Sequence, residues 1–199
     1  MSEEVVSTQV ERATKVTSQV LKAAVISYFR FKKQMVAVDE VSCCFGSCDV
    51  LADDGKQVIE IEVKLSKSDL VRGEARKGKH PLGKAGGWPF DTGSQWKGIP
   101  NRFYLCVPEG IADAAEEWIL KTHPSYGLIV FLEKELWRLE RGSVVFWGEA
   151  LHFRRGAKKL HNEYRDSVWR AICKRASASL CTLMGYRAVQ VSKHNEGKV

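Results

Sequence analysis

The sequence predicts an α/β domain: a mixed sheet flanked by helices, with a hairpin and a helix towards the C-terminus. Three observations carry this expectation. Val16, Val20, Ala24 and Tyr28, with Leu21, Val25 and Phe31 beside them, recur at helical spacing. Asp54-Gly55 lies between two β-rich runs, a strong hairpin signal. The run 57–65 then alternates, with Ile59, Ile61 and Val63 on one side and Glu60, Glu62 and Lys64 on the other.

The elements follow in order. Residues 1–9 read as a flexible, polar start and 10–33 as a first helix. Residues 35–45 are rich in valine and form a strand; 48–52 and 57–65 form the hairpin. A two-residue turn at Asp54-Gly55 sets Asp53 against Lys56 and Asp49 against Glu60, with Glu62 diagonal to it. Ser66 fits an N-cap with Asp69 three residues on, opening a helix over 67–77. Nine glycines and prolines punctuate 78–100, which reads as a long loop. Arg102–Val107 is a strand stopped by Pro108, and Ile111–Lys121 a helix that brings the chain back. Residues 126–132 and 136–140 suggest a hairpin around Glu133-Lys134, and 143–153 leave a further strand open. Leu160, Tyr164, Val168, Ile172 and Leu180 set one face of a helix over 160–184. A single domain over 10–186 and a flexible tail over 187–199 complete the organisation.

Composition excludes several classes. With 44% hydrophobic and 28% charged residues the chain is ordinary for a globular protein. No run of about 18 apolar residues occurs, so no membrane span is expected. Nothing behind Met1-Ser2-Glu3-Glu4 resembles a secretory signal, so the expected location is the cytoplasm. The six cysteines are then free thiols, and Cys43, Cys44 and Cys48 lack the CxxC spacing of a zinc site. No phosphate-binding GxxxxGK[ST] loop is present, which argues against nucleotide hydrolysis. The histidines at 123, 152, 161 and 194 show neither triad nor zinc spacing.

The net charge of +7 is unevenly spread: −3 over 1–63, +6 over 64–102, −4 over 103–150 and +8 over 151–199. Two basic blocks suit a polyanion if they share a face. Candidate phosphate contacts are Lys67, Lys77 and Lys79 near the second helix, and Arg154, Arg155, Lys158, Lys159, Lys174 and Arg175 further on. Trp88, Phe90 and Trp96 in the glycine-rich loop could stack on bases or tuck the loop against the domain.

The chemistry concentrates between Asp49 and Lys64. The hairpin gathers two or three carboxylates and one ammonium on one face, and neighbouring acids repel unless a cation sits among them. Magnesium takes one or two carboxylates and leaves the rest of its shell to water or phosphate. Asp49 and Glu62 could supply those oxygens, with Glu60 as a further candidate, while Lys64 serves the developing charge on a phosphate. Glu40, ending the first strand, is either another ligand or a surface acid. The plainer alternative is an edge hairpin whose charged face is simply solvated.

The runs Cys48-Asp49-Val50-Leu51-Ala52 and Ile61-Glu62-Val63-Lys64 resemble the active-site pattern of the PD-(D/E)xK nuclease superfamily. Glu62 through Leu70, then Asn101 through Pro108 and Gly127-Leu128-Ile129-Val130, are similar to its MmcB-like DNA repair proteins. The resemblance implies a restriction-endonuclease-like core, metal-binding acids at Asp49 and Glu62, and a catalytic lysine at Lys64. Residues 78–100 are longer than the family's usual link, and Glu60 stands where an apolar residue is usual. The functional expectation is an Mg2+- or Mn2+-dependent hydrolase of phosphodiester bonds in DNA, acting in repair, with a homodimer as one possible assembly. An inactive nucleic-acid-binding module of the same fold and an RNA-directed nuclease are the alternatives.

Overall fold

A computed structural model describes residues 16–43, 46–74, 100–133, 150–162, 164 and 166–180. Helix α1 spans Ser18–Ser27, capped by the Thr17 hydroxyl, which accepts from the Val20 N–H at 3.3 Å. A wider turn over Tyr28–Lys32 continues it. Gln34 ends it in the left-handed region at φ 55°, and the Met35 N–H returns to the Phe29 carbonyl at 3.0 Å.

Six strands follow: β1 (Val36–Cys43), β2 (Gly46–Asp53), β3 (Val58–Val63), β4 (Arg102–Pro108), β5 (Gly127–Phe131) and β6 (Leu151–Arg155). They lie side by side in sequence order. The pairs β1–β2, β2–β3 and β5–β6 are antiparallel, and β3–β4 and β4–β5 are parallel. The expected α/β mixed sheet is therefore present. Helix α2 (Ala112–Thr122) makes the crossover between β4 and β5, and residues 166–180 form helix α3.

Each sheet face has its own cover. Leu21, Ala24, Val25 and Phe29 pack with Val50, Ile61, Val63, Cys106, Ile129 and Phe131 on one side. Ala115, Trp118 and Ile119 of α2, with Leu70, pack with Phe103, Leu105, Leu128 and Val130 on the other. Leu51, Glu60 and Phe103 are direct cross-strand neighbours and so point the same way. Val168 and Ile172 of α3 pack with Leu51 and Val58, so α3 shares that second face with α2.

This layering rules out the plainer alternative of a solvated charged face. The face of β3 that carries Glu60, Glu62 and Lys64 is not solvated: all three residues are buried, Glu60 at 0% and Glu62 at 1% exposure. Period-two alternation marks two faces but cannot say that the polar one meets water.

The hairpin register also differs. Asp53 pairs with Val58, not Lys56, and Leu51 pairs with Glu60. The turn is longer because its aspartates bind the backbone locally. Asp53 Oδ1 accepts from the Gly55 N–H at 2.7 Å, and Asp54 Oδ1 accepts from the N–H groups of Lys56 and Gln57, each at 2.9 Å. Gly55 occupies the left-handed region at φ 81°. Counting on from Val50↔Ile61 sets Asp49 across from Glu62.

Smaller corrections concern the C-terminal half. Residues 156–162 are not helical, although a helix over 160–184 was expected. Asn101 holds that stretch: its side chain accepts from the Val58 N–H at 2.7 Å and donates to the His161 carbonyl at 3.0 Å, while its own carbonyl accepts from the Leu160 N–H at 2.8 Å. The antiparallel partner of β5 is β6. The expected strand over 136–140, residues 75–99 with Lys77, Lys79 and the aromatics of the expected loop, and both termini lie outside the described residues.

Candidate active site

The site forms where β2 and β3 part. Their ladder runs from Asp53↔Val58 to Val50↔Ile61. One step further, the Asp49 side chain replaces a backbone acceptor: its Oδ2 accepts from the Val63 N–H at 2.9 Å. β3 keeps its other partner past its own end, since the Lys64 N–H donates to the Cys106 carbonyl at 3.0 Å. Glu62 and Lys64 are thereby fixed by β4 while Asp49 is fixed by β3, a rigid mounting of the kind a preorganised site requires.

The Lys64 ammonium gathers three carboxylates. Its Nζ lies 3.0 Å from Glu74 Oε2, 3.3 Å from Glu62 Oε2 and 3.9 Å from Asp49 Oδ2. Side-chain exposure is 7% for Lys64, 1% for Glu62 and 0% for Glu74, but 28% for Asp49. The cluster therefore opens to solvent through Asp49. Burial raises the Asp49 pKa, the Glu62 charge raises it further, and the Val63 N–H and Lys64 offset part of this. Burial alone would lower the Lys64 pKa, but the Glu74 and Glu62 charges outweigh it and hold the ammonium above its ordinary value.

A second ammonium reaches Asp49 from the opposite face. Lys22 sits on the buried stripe of α1, with its Nζ 3.7 Å from Asp49 Oδ1 and 3.0 Å from Glu40 Oε1. Hydrogen bonding and charge from Lys22 lower the Glu40 pKa. Arg175 closes the row, with Nη2 3.9 Å from Glu40 Oε2.

The structure thus brings Asp49, Glu62 and Lys64 together. Glu60 lies one pair deeper, between Leu51 and Phe103, and loses the position opposite Asp49 that had suggested it as a ligand. Two members were not singled out from sequence. Glu74 was legible as an acid at i+4 from Leu70, on the stripe that faces the core. Lys22 was legible as a lysine beside Leu21 on the apolar side of α1.

Of the candidate phosphate contacts, Lys67 is exposed on the turn that follows Lys64. Others are engaged or distant. Arg154 binds Asp113 at 2.8 Å and Glu116 at 2.7 Å, and Arg155 donates to the Tyr126 and Pro124 carbonyls. Arg175 donates to the Asp39 carbonyl and carboxylate. Lys158 and Lys159 are exposed, but the Lys158 N–H binds the Ser125 carbonyl beside the starts of β4 and β5, whereas the site lies beyond the end of β3. Ile59, opposite Arg102, is five residues from Lys64, roughly 17 Å at about 3.3 Å per residue. Among the described residues, Arg154, Arg155, Lys158 and Lys159 therefore lie away from the acids. Lys174 is exposed on α3.

No family model matches this chain, and no curated protein does. A solved protein of unknown function from Silicibacter pomeroyi is similar, with TM-score 0.54 and 15% identity over 89% of this chain and 95% of that one. The likeness is one of fold. It leaves the chemistry to the residues themselves.

The donor set suits a hard divalent cation. Burial and then the neighbouring Glu62 charge raise the Asp49 pKa, and one or two carboxylates are what magnesium ordinarily takes from a protein. Among the described residues no three His, Cys, Asp or Glu side chains form a metal cage, and the Lys64 nitrogen lies within 4 Å of Asp49, Glu62 and Glu74. The described cysteines Cys43, Cys48, Cys106 and Cys173 are free thiols.

Proposed function

We propose that this chain is a metal-dependent nuclease that hydrolyses phosphodiester bonds in DNA, in the setting of DNA repair. One observation supports this above the others: Asp49, Glu62 and Lys64, the residues of the PD-(D/E)xK-like pattern, come together around one ammonium with a single solvent-facing acid. The restriction-endonuclease-like reading of the fold rests on the same resemblance and agrees with the mixed sheet.

Asp49 and Glu62 would hold Mg2+ or Mn2+. Such an ion, when bound, polarises the scissile phosphate and lowers the pKa of its water. The chain's own residues do the rest. The Val63 N–H orients Asp49. Lys64 stays protonated across the physiological range, so it acts as a fixed positive charge for the pentacoordinate phosphate and not as a general base. Glu74 anchors that charge from a position no substrate reaches, being fully buried. Lys67 and Arg72, both exposed on the following turn, are placed to contact flanking phosphates.

A catalytically silent binding module is the second reading. It draws support from the pairing of Lys64 with Glu74, Glu62 and Asp49, which already balances the ammonium within the fold. Cleavage assays with Mg2+ or Mn2+ on single-stranded, branched and duplex DNA and on RNA, against an EDTA control, separate the readings. Glu62→Gln and Asp49→Asn should abolish turnover while DNA binding persists. A wild type that cuts no substrate moves the conclusion to the binding module, and cutting of RNA alone moves it to an RNA-directed nuclease. Undiminished cutting by Glu62→Gln puts the chemistry elsewhere. No described helix is long and apolar enough to cross a membrane.

A further inference from the structure

We propose that Glu40 is a positioning residue that holds the Lys22 ammonium off Asp49, keeping the Asp49 Oδ1 open to a divalent cation. The inference rests on the metal-dependent reading of the site. It starts from two unequal distances: Lys22 Nζ is 3.0 Å from Glu40 Oε1 but 3.7 Å from Asp49 Oδ1. The nearer acid has the ammonium, and the farther one keeps an oxygen that is not closed into a short ion pair.

The backbone at Glu40 is built for this placement. Asp39↔Val50 and Val41↔Cys48 are ladder pairs, so Glu40 occupies the position across from Asp49, and no pair forms there. Its φ is 49°, in the left-handed region that a side chain with a Cβ enters only at a cost in free energy. A local break in a strand of this kind re-aims a side chain. Here it brings the carboxylate to the Lys22 ammonium, which comes from α1 on one face of the sheet. Arg175 steadies the arrangement, donating to the neighbouring Asp39 carbonyl at 3.0 Å and approaching Glu40 Oε2 at 3.9 Å.

Lys22 itself is 8% exposed at its side chain, so its ammonium must stay near an acid. Remove the Glu40 charge and Asp49 is the acid left within 4 Å among the described residues. The ammonium then closes on Asp49 and competes with a divalent cation for the same oxygen. Lys64 cannot play this part, because Glu62 and Glu74 hold it on the other side.

The test is calorimetric titration of the full chain with Mn2+, without substrate, on wild type, Glu40→Gln, Lys22→Met and the double variant, with Asp49→Asn as control. Glu40→Gln should weaken Mn2+ binding about fivefold, the scale of a partly exposed ion pair. In the Lys22→Met background the same change should have no effect, since no ammonium remains to swing. Lys22→Gln replaces Lys22→Met if thermal melting shows that variant unfolded. An equal loss in both backgrounds makes Glu40 a direct ligand or a remote charge and overturns the proposal, as does an unchanged affinity in Glu40→Gln. If wild type binds Mn2+ and Asp49→Asn does not, those failures leave the metal-dependent reading standing. A wild type that binds no Mn2+ overturns both.

Discussion

Replacing Lys64 with Met tests how the site is held together. The aliphatic stem survives and only the ammonium is lost. Glu62 and Glu74, at 1% and 0% side-chain exposure, then lose the ammonium that lies 3.3 Å and 3.0 Å away. Removing one partner of a buried pair typically costs about 3–5 kcal/mol, because the remaining charge stays desolvated. Against a total stability of about 5–15 kcal/mol this is a large fraction. For a chain of this size it corresponds to a drop in Tm of roughly 6–20 °C, at about 2–4 °C per kcal/mol. The pH dependence has a definite sign. Loss of a neighbouring cation favours the protonated form of a buried carboxyl, so the penalty is absent where the acids are protonated in both states and grows as pH rises. The deficit should therefore be largest at neutral pH and shrink on acidification. Urea denaturation at pH 7 and pH 5, with m unchanged, reads it directly. Lys64→Met/Glu74→Gln should recover part of the loss, since one buried carboxylate remains in place of two. A Lys64→Met protein as stable as wild type at pH 7 would refute the argument and return the site to a solvated surface.

Three further outcomes are expected. Burial first, and then the Glu62 charge, raise the Asp49 pKa, so protons compete with a cation at higher pH than at an ordinary aspartate. Mn2+ affinity should fall as pH drops through that raised value, and stabilisation by Mn2+ in thermal melts should shrink with it; a flat affinity from pH 7 to pH 4 would remove Asp49 from the site. Lys67→Ala with Arg72→Ala should reduce the slope of log binding constant against log salt by about 2, at about 0.9 per phosphate contact, whereas Arg154→Ala should leave it unchanged because Asp113 and Glu116 already engage that guanidinium. Gly127→Ala should destabilise by about 1–3 kcal/mol, read as a lowered urea midpoint, because the new Cβ would collide with the Tyr104 ring and come within 2.8 Å of the Ala157 nitrogen.

Local chemistry made much of this protein legible in advance. The helical spacing around Leu21 and Val25, the alternation of Ile59, Ile61 and Val63, and the stop at Pro108 each depend on a few adjacent residues, and each element is present, although α1 opens at Ser18 behind the Thr17 cap, inside the span 10–33 that read as one helix. The grouping of Asp49, Glu62 and Lys64 was legible for the same reason, since a hairpin brings its own strands together whatever else the chain does. Even there, the register depended on hydrogen bonds inside the turn: Asp53 and Asp54 bind the backbone and lengthen it, moving Asp49 from Glu60 to Glu62. Tertiary structure decided what no window of sequence contains. Whether the polar face of β3 meets water depends on what packs there, and part of that cover is α3, whose Val168 and Ile172 return from far along the chain to pack with Leu51 and Val58. Burial makes Glu62 and Glu74 desolvated charges and Lys64 their counter-ion. It takes packing across the sheet to set Lys22 beside Glu40 and Asp49, and to commit Arg154, Arg155 and Arg175 to partners within the fold. Charge and alternation are properties of the chain, but desolvation is a property of whatever packs on top of it.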